Sequence, residues 1–141
     1  MSEKIFQKCV KRYLVDIGHK ILTSGSLSYS VNIDNRKPVK QFPDLVSVCD
    51  KIMYITEVKF KCNSNVFLQQ AIGQLFLHKF FYDTHVTEDQ HIYQLAIPDH
   101  SIGTRISREL EEYLKDILQI EVVYIPIEYY SERLERLSKL R

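Results

Sequence analysis

Apolar residues recur at helical spacing near the start of the chain, at Ile5, Phe6, Cys9, Val10, Tyr13, Leu14 and Ile17. This stripe predicts an amphipathic helix over residues 3–17, with Ser2 as N-cap and Gly18 as stop. From residue 19 to 33 the pattern loosens toward a period of two, through Ile21, Leu27, Tyr29, Val31 and Ile33, and predicts one or two strands. Gly25, among serines, marks a turn or bulge inside them. Residues 34–41 (DNRKPVKQ) are polar, contain Pro38 and are expected as a surface loop. Two alternating runs rich in Val, Ile and Tyr then span residues 42–61 and predict a β-hairpin. With Asp50 and Lys51 as its loop, Cys49 faces Ile52, and the register runs back to pair Asp44 with Glu57.

The second half begins with a mostly apolar helix over residues 66–82, capped by Asn63 or Ser64 and expected to be largely buried. Gln70 and Gln74 share one face of it, with His78 one step further along. Gly73 is costly inside a helix and predicts close approach of another backbone. A strand over 91–97 ends at Pro98-Asp99. A helix over 101–119 places Ile106, Leu110, Leu114 and Leu118 on one face. A strand over 121–127 carries Pro126, which marks an edge or an end. A last helix over 129–141 carries Leu134, Leu137 and Leu140. The order is helix, strands, hairpin, helix, strand, helix, strand, helix, and it predicts an α/β domain.

A chain of 141 residues, 45% hydrophobic, is sized for one folded domain spanning 1–141. No run approaches the roughly 18 apolar residues of a membrane span. The charged N-terminus does not resemble a signal peptide. Three scattered cysteines without C-x-x-C spacing argue against a zinc site, an iron–sulfur cluster or a disulfide framework. A cytoplasmic location is expected. Net charge is only +1, but residues 1–61 hold eleven Lys/Arg against six Asp/Glu, and residues 62–141 hold eight against twelve. The basic half is the one that suits a polyanionic partner.

That half also carries the candidate chemistry. Residues opposite each other on an antiparallel pair point to one face. The hairpin register therefore gathers Asp44, Glu57 and, two residues on, Lys59. Two neighbouring carboxylates repel unless a cation sits between them, and hard divalent cations take oxygen ligands. This outlines a magnesium-dependent phosphodiester-cleaving site. The alternative is a surface turn with an exposed Glu/Lys pair on a solvated strand face. Nucleotide-binding glycine loops, a nucleophile elbow and H-E-x-x-H are all absent. The five histidines have no ligand spacing and read as surface or packing residues.

Pro43-Asp44, twelve intervening residues and Glu57-Val58-Lys59 resemble the signature of the PD-(D/E)XK nuclease superfamily. The element order is similar to the core of that superfamily. The resemblance implies a restriction-endonuclease-like α/β fold, with a central mixed sheet flanked by helices and the site on the hairpin. It implies Asp44 and Glu57 as ligands of one or two Mg²⁺, with Mn²⁺ able to substitute. Lys59 would act as catalytic lysine, and Glu3 and the Val58 carbonyl are further candidate ligands. Glu3 reads equally as a helix-start acid that favours the dipole. The segment QQAIGQLFLHKFFY resembles the helix that follows the lysine in several subfamilies, making Gln70 and Gln74 candidates beside the site. It departs from that pattern in having His78 where a tyrosine often follows. A polar stripe at the edge of a buried helix is the alternative for the glutamines.

The implied activity is a metal-dependent DNA endonuclease, Holliday-junction-resolvase-like or of the homing or viral kind. The other readings are a catalytically silent DNA-binding or assembly module, or an unrelated interaction domain. Lys4, Lys8 and Lys11, which lie opposite the apolar stripe, and Arg36, Lys37 and Lys40 are the expected phosphate contacts. A homodimer or higher homo-oligomer is expected, with Leu134, Leu137 and Leu140 as candidate contact and no membrane partner.

Overall fold

The computed structural model describes residues 1–23, 29–31, 39–41, 43–61, 64–99 and 106–139, with backbone alone at 29–31, 39–41, 134 and 137–139. The first helix, α1, spans Glu3–Asp16. Ser2 caps it as expected, its Oγ accepting from the Ile5 N–H at 3.2 Å. Gly18 ends it at φ +103°, a conformation that L side chains rarely adopt. Strand β1 follows at Lys20–Thr23. Strands β2 (Tyr29–Val31) and β3 (Val39–Gln41) pair with each other in a separate two-stranded sheet. Residues 39–41 are thus strand rather than loop. Their polar composition gave no alternation to read, and among the described residues this ribbon pairs with no strand of the main sheet.

The hairpin is β4 (Leu45–Cys49) and β5 (Ile52–Val58). Its register runs from Cys49↔Ile52 to Leu45↔Thr56, as the alternation requires. Asp50 and Lys51 close it with φ 51° and 66°, the left-handed pair that suits the right-handed strand twist. Helix α2 (Asn65–His85) then carries the chain back, so that β6 (Gln90–Pro98) pairs parallel to β5. Helix α3 (Arg108–Asp116) leads to β7 (Ile120–Ile125), parallel to β6. A 3₁₀ turn at Ile127–Tyr129, started by Pro126, leads to α4 (Ser131–Lys139).

The result is an α/β fold with a mixed five-stranded sheet in the order β1-β4-β5-β6-β7, flanked by helices. One face packs Ile55, Tyr93, Leu95 and Ile97 against Ala71 and Leu75 of α2 and Leu114 of α3. The other packs Leu45, Val58 and Ala96 against Phe6, Cys9, Val10 and Leu14 of α1. Phe6 meets Phe60 and Tyr130 at ring-centroid distances of 5.2 and 5.5 Å. Each such pair adds about 0.5–1.5 kcal/mol beyond area burial. This aromatic knot fixes the start of α1 against the end of β5.

Gly73 departs from its expected role. It lies exposed on α2, and a Cβ there would meet nothing within 4 Å. No described helix is long and apolar enough to cross a membrane.

Candidate functional site

Side chains alternate along β5, so Ile55 faces the α2 layer while Val58 faces α1. Glu57 therefore points toward α2, where it is 2% exposed. Asp44 immediately precedes β4, next in register opposite Glu57, and is half-buried. Its Oδ2 accepts from the Val58 N–H at 2.8 Å, and its backbone carbonyl accepts from Gln7 Nε2 of α1 at 2.9 Å. The carboxyl groups of Asp44 and Glu57 are close enough to share a hydrogen bond.

Burial and the Glu57 charge push the Asp44 carboxyl up to about 7. Burial likewise pushes Glu57 up to about 7, against the lowering effects of Asp44 and Lys59. Both shifts share their largest cause, burial, which disfavours the charged form. Lys59 brings a cation to the pair. It follows the end of β5, keeps the parallel ladder through its N–H to the Ala96 carbonyl at 3.0 Å, and is 8% exposed. Its Nζ lies 3.9 Å from Glu3 Oε1, at the first turn of α1. Glu3 is the exposed member of the cluster.

The remaining neighbour is His78. Its Nε2 lies 2.6 Å from Glu57 Oε1, with the two side chains 1% and 3% exposed. Burial pushes the His78 pKa down to about 4, so the ring is neutral at pH 7. Sequence alone leaves His78 among the surface or packing histidines. The available signal is its place on the Gln70/Gln74 stripe of an otherwise apolar helix. Gln74 is half-buried and its Oε1 has no hydrogen-bond partner among the described residues, while Gln70 is exposed. Helix α2 is fixed beyond His78 by Asp83, which accepts from Tyr93 Oη at 2.7 Å and Lys79 Nζ at 2.6 Å.

The fold is similar to that of XisH-family structures. One is an XisH family protein from Nostoc punctiforme, with TM-score 0.59 and 18% identity, over 86% of this chain and 91% of that one. Another is an fdxN element excision controlling factor protein from Anabaena variabilis, with TM-score 0.59 and 18% identity, over 86% and 92%. A protein of unknown function matches with TM-score 0.59 and 19% identity, over 95% of this chain and 67% of its own. No family model and no curated protein matches the chain.

Among the described residues no group of three His, Cys, Asp or Glu side chains is arranged to hold a metal. The Asp44–Glu57 carboxylate pair offers fewer donors than such a group. Such a pair suits Mg²⁺, which is commonly held by one or two carboxylates and keeps several waters. It does not make an all-protein cage. Lys4, Lys8 and Lys11 are exposed on α1. Arg36 and Lys37 lie outside the described residues, as do the side chains of Lys40, Leu134 and Leu137 and all of Leu140. Two surface grooves, one along α3 and β7 and one along α1 and β1, include neither Asp44, Glu57 nor Lys59.

Proposed function

We propose that the chain is a metal-dependent DNA endonuclease of PD-(D/E)XK type, with a restriction-endonuclease-like fold. The observation that carries this reading is the adjacency of Asp44 and Glu57 at the end of the central hairpin, with Lys59 two residues on. Asp44 and Glu57 would hold Mg²⁺ or Mn²⁺, with the Val58 carbonyl as a further oxygen. When bound, such a cation polarises the scissile phosphate and lowers the pKa of a coordinated water.

The protein's own part is placement and charge. The Val58 N–H holds Asp44 Oδ2 at the end of the hairpin. Lys59 stabilises the negative charge that develops as the phosphodiester is attacked. Glu3 steadies the Lys59 ammonium. Gln74, with an unsatisfied amide oxygen, is the better placed of the two glutamines to orient water, and Gln70 is the outer one. The basic face of α1 supplies phosphate contacts. A homodimer would present two such sites to two strands.

A second reading, a catalytically silent DNA-binding module of the same fold, is favoured by the closure of Glu57 and Lys59, 2% and 8% exposed. The neighbour named as an excision controlling factor supports action on DNA without assigning a reaction. Incubation with supercoiled, linear, single-stranded and branched DNA in Mg²⁺ or Mn²⁺ separates the two. Cleavage that stops with chelator and with Asp44→Asn supports the enzyme. Binding without cleavage in every case supports the silent module.

A further inference from the structure

We infer that His78 is the positioning residue for Glu57: its ring N–H holds Oε1 and so orients the carboxylate toward a divalent cation shared with Asp44. This deepens the proposed function and rests on its reading of Asp44 and Glu57 as cation ligands.

The argument is one of donors and acceptors. A neutral imidazole carries one N–H, on one of its two nitrogens. At 2.6 Å from Glu57 Oε1, Nε2 either donates to an ionised carboxylate or accepts from a protonated one. With a cation on the pair, Glu57 is ionised and has no proton to give. The contact is then satisfied only by Nε2–H donating. The cation-bound site therefore fixes the Nε2–H tautomer and assigns Oε1 to the histidine.

The placement is rigid. Glu57 and His78 come from different layers, β5 and α2. Helix α2 packs Ala71 and Leu75 on the sheet and is tied at its far end through Asp83 to Tyr93 of β6. His78 thus holds the Glu57 carboxylate from a fixed support rather than following it. Groups that hydrogen-bond a metal-ligating carboxylate orient it, and their loss costs about 10–100-fold in metal affinity. His78 Nε2 is spent on Glu57 Oε1, so the ring serves as a support for the carboxylate rather than a third ligand.

The test uses the full chain and the metal alone. Mn²⁺ and Mg²⁺ are titrated calorimetrically into metal-free wild type, His78→Ala, His78→Gln, Asp44→Asn and Glu57→Gln. We expect His78→Ala to weaken Mn²⁺ binding about 10–100-fold. We expect His78→Gln, whose amide N–H can stand where Nε2–H does, to recover most of it. A folded His78→Ala protein with wild-type affinity overturns the inference while the metal reading stands. Wild-type affinity in Asp44→Asn and Glu57→Gln as well overturns both. Should His78→Ala fail to fold, long-range ¹H–¹⁵N spectra of Mg²⁺-saturated wild type decide the matter. An Nε2–H tautomer for His78 upholds the inference, and an Nδ1–H tautomer defeats it.

Discussion

Asp44 Oδ2 accepts a hydrogen bond from the backbone N–H of Val58 at 2.8 Å, so the first carboxylate of the site is held by the residue next to the second. The two acids are mechanically one unit. Changing the side chain of either while keeping its shape should therefore separate chemistry from folding.

Asp44→Asn and Glu57→Gln each keep one acceptor oxygen and remove charge. Both should stay folded, lose divalent-cation binding and abolish metal-dependent DNA cleavage. Lys59→Ala should lower the cleavage rate by about 10²–10³-fold while leaving metal affinity at or above wild type, because an ammonium is not a ligand. Single-turnover assays paired with metal titration measure both. An active Glu57→Gln protein sinks the assignment.

The raised carboxyls set a direction for stability against pH in the metal-free protein. Unfolded, both acids are ionised well below pH 6, whereas folded they hold protons up to about 7. The folded state thus binds more protons than the unfolded one, and stability falls as pH rises through 7. His78, pushed down to about 4, acts oppositely, removing stability as pH falls below about 6.5. Glu3 and Lys59 are the other charges facing the pair. Between pH 6.5 and 8, in chelator, wild type should lose on the order of 1 kcal/mol relative to Asp44→Asn. Urea melts at the two pH values check it, and parallel pH profiles for the two proteins would contradict it.

Lys4, Lys8 and Lys11 are exposed on α1, so replacing all three by Ala should leave the fold intact. DNA affinity should drop alike for all sequences. The slope of log K against log salt should flatten by about one for each phosphate that is no longer neutralised. An unchanged slope would place DNA elsewhere.

Two backbone positions invite stabilisation. Gly73→Ala fills open space on an exposed helix face and should add about 0.5–1 kcal/mol. Lys51→Gly relieves a left-handed residue in the hairpin loop and should add about 1 kcal/mol. Thermal melts decide each. A loss of stability in Gly73→Ala would contradict the open space at that position.

The sequence was most legible where one local rule governed. The two-residue Asp50-Lys51 turn fixed the hairpin register, which runs back to set Asp44 opposite Glu57. Ser2 and Gly18 bounded α1 by chemistry that lies within a few residues. What escaped depends on contacts distant in sequence. The parallel pairing of β5 with β6 leaves no mark on either strand. Gln7 looks like any polar residue on a helix face, yet it ties down the Asp44 carbonyl. His78 becomes distinctive only when it packs back on the sheet from a helix, 21 residues downstream of Glu57.

Strand β5 is where the sheet changes direction, antiparallel to β4 and parallel to β6. That change divides the assembly of the site in time. Asp44 and Glu57 meet when a two-residue loop closes, a local event on the order of microseconds for a hairpin. His78 reaches Glu57 only after α2 has formed and docked, a step with a larger loop-closure cost. The expected order brings the carboxylate pair together before the histidine arrives, and a divalent cation held by the pair during refolding would staple the hairpin early. Pulse-labelled hydrogen exchange should show β4 and β5 amides protected before those of α2, with added Mg²⁺ widening the interval.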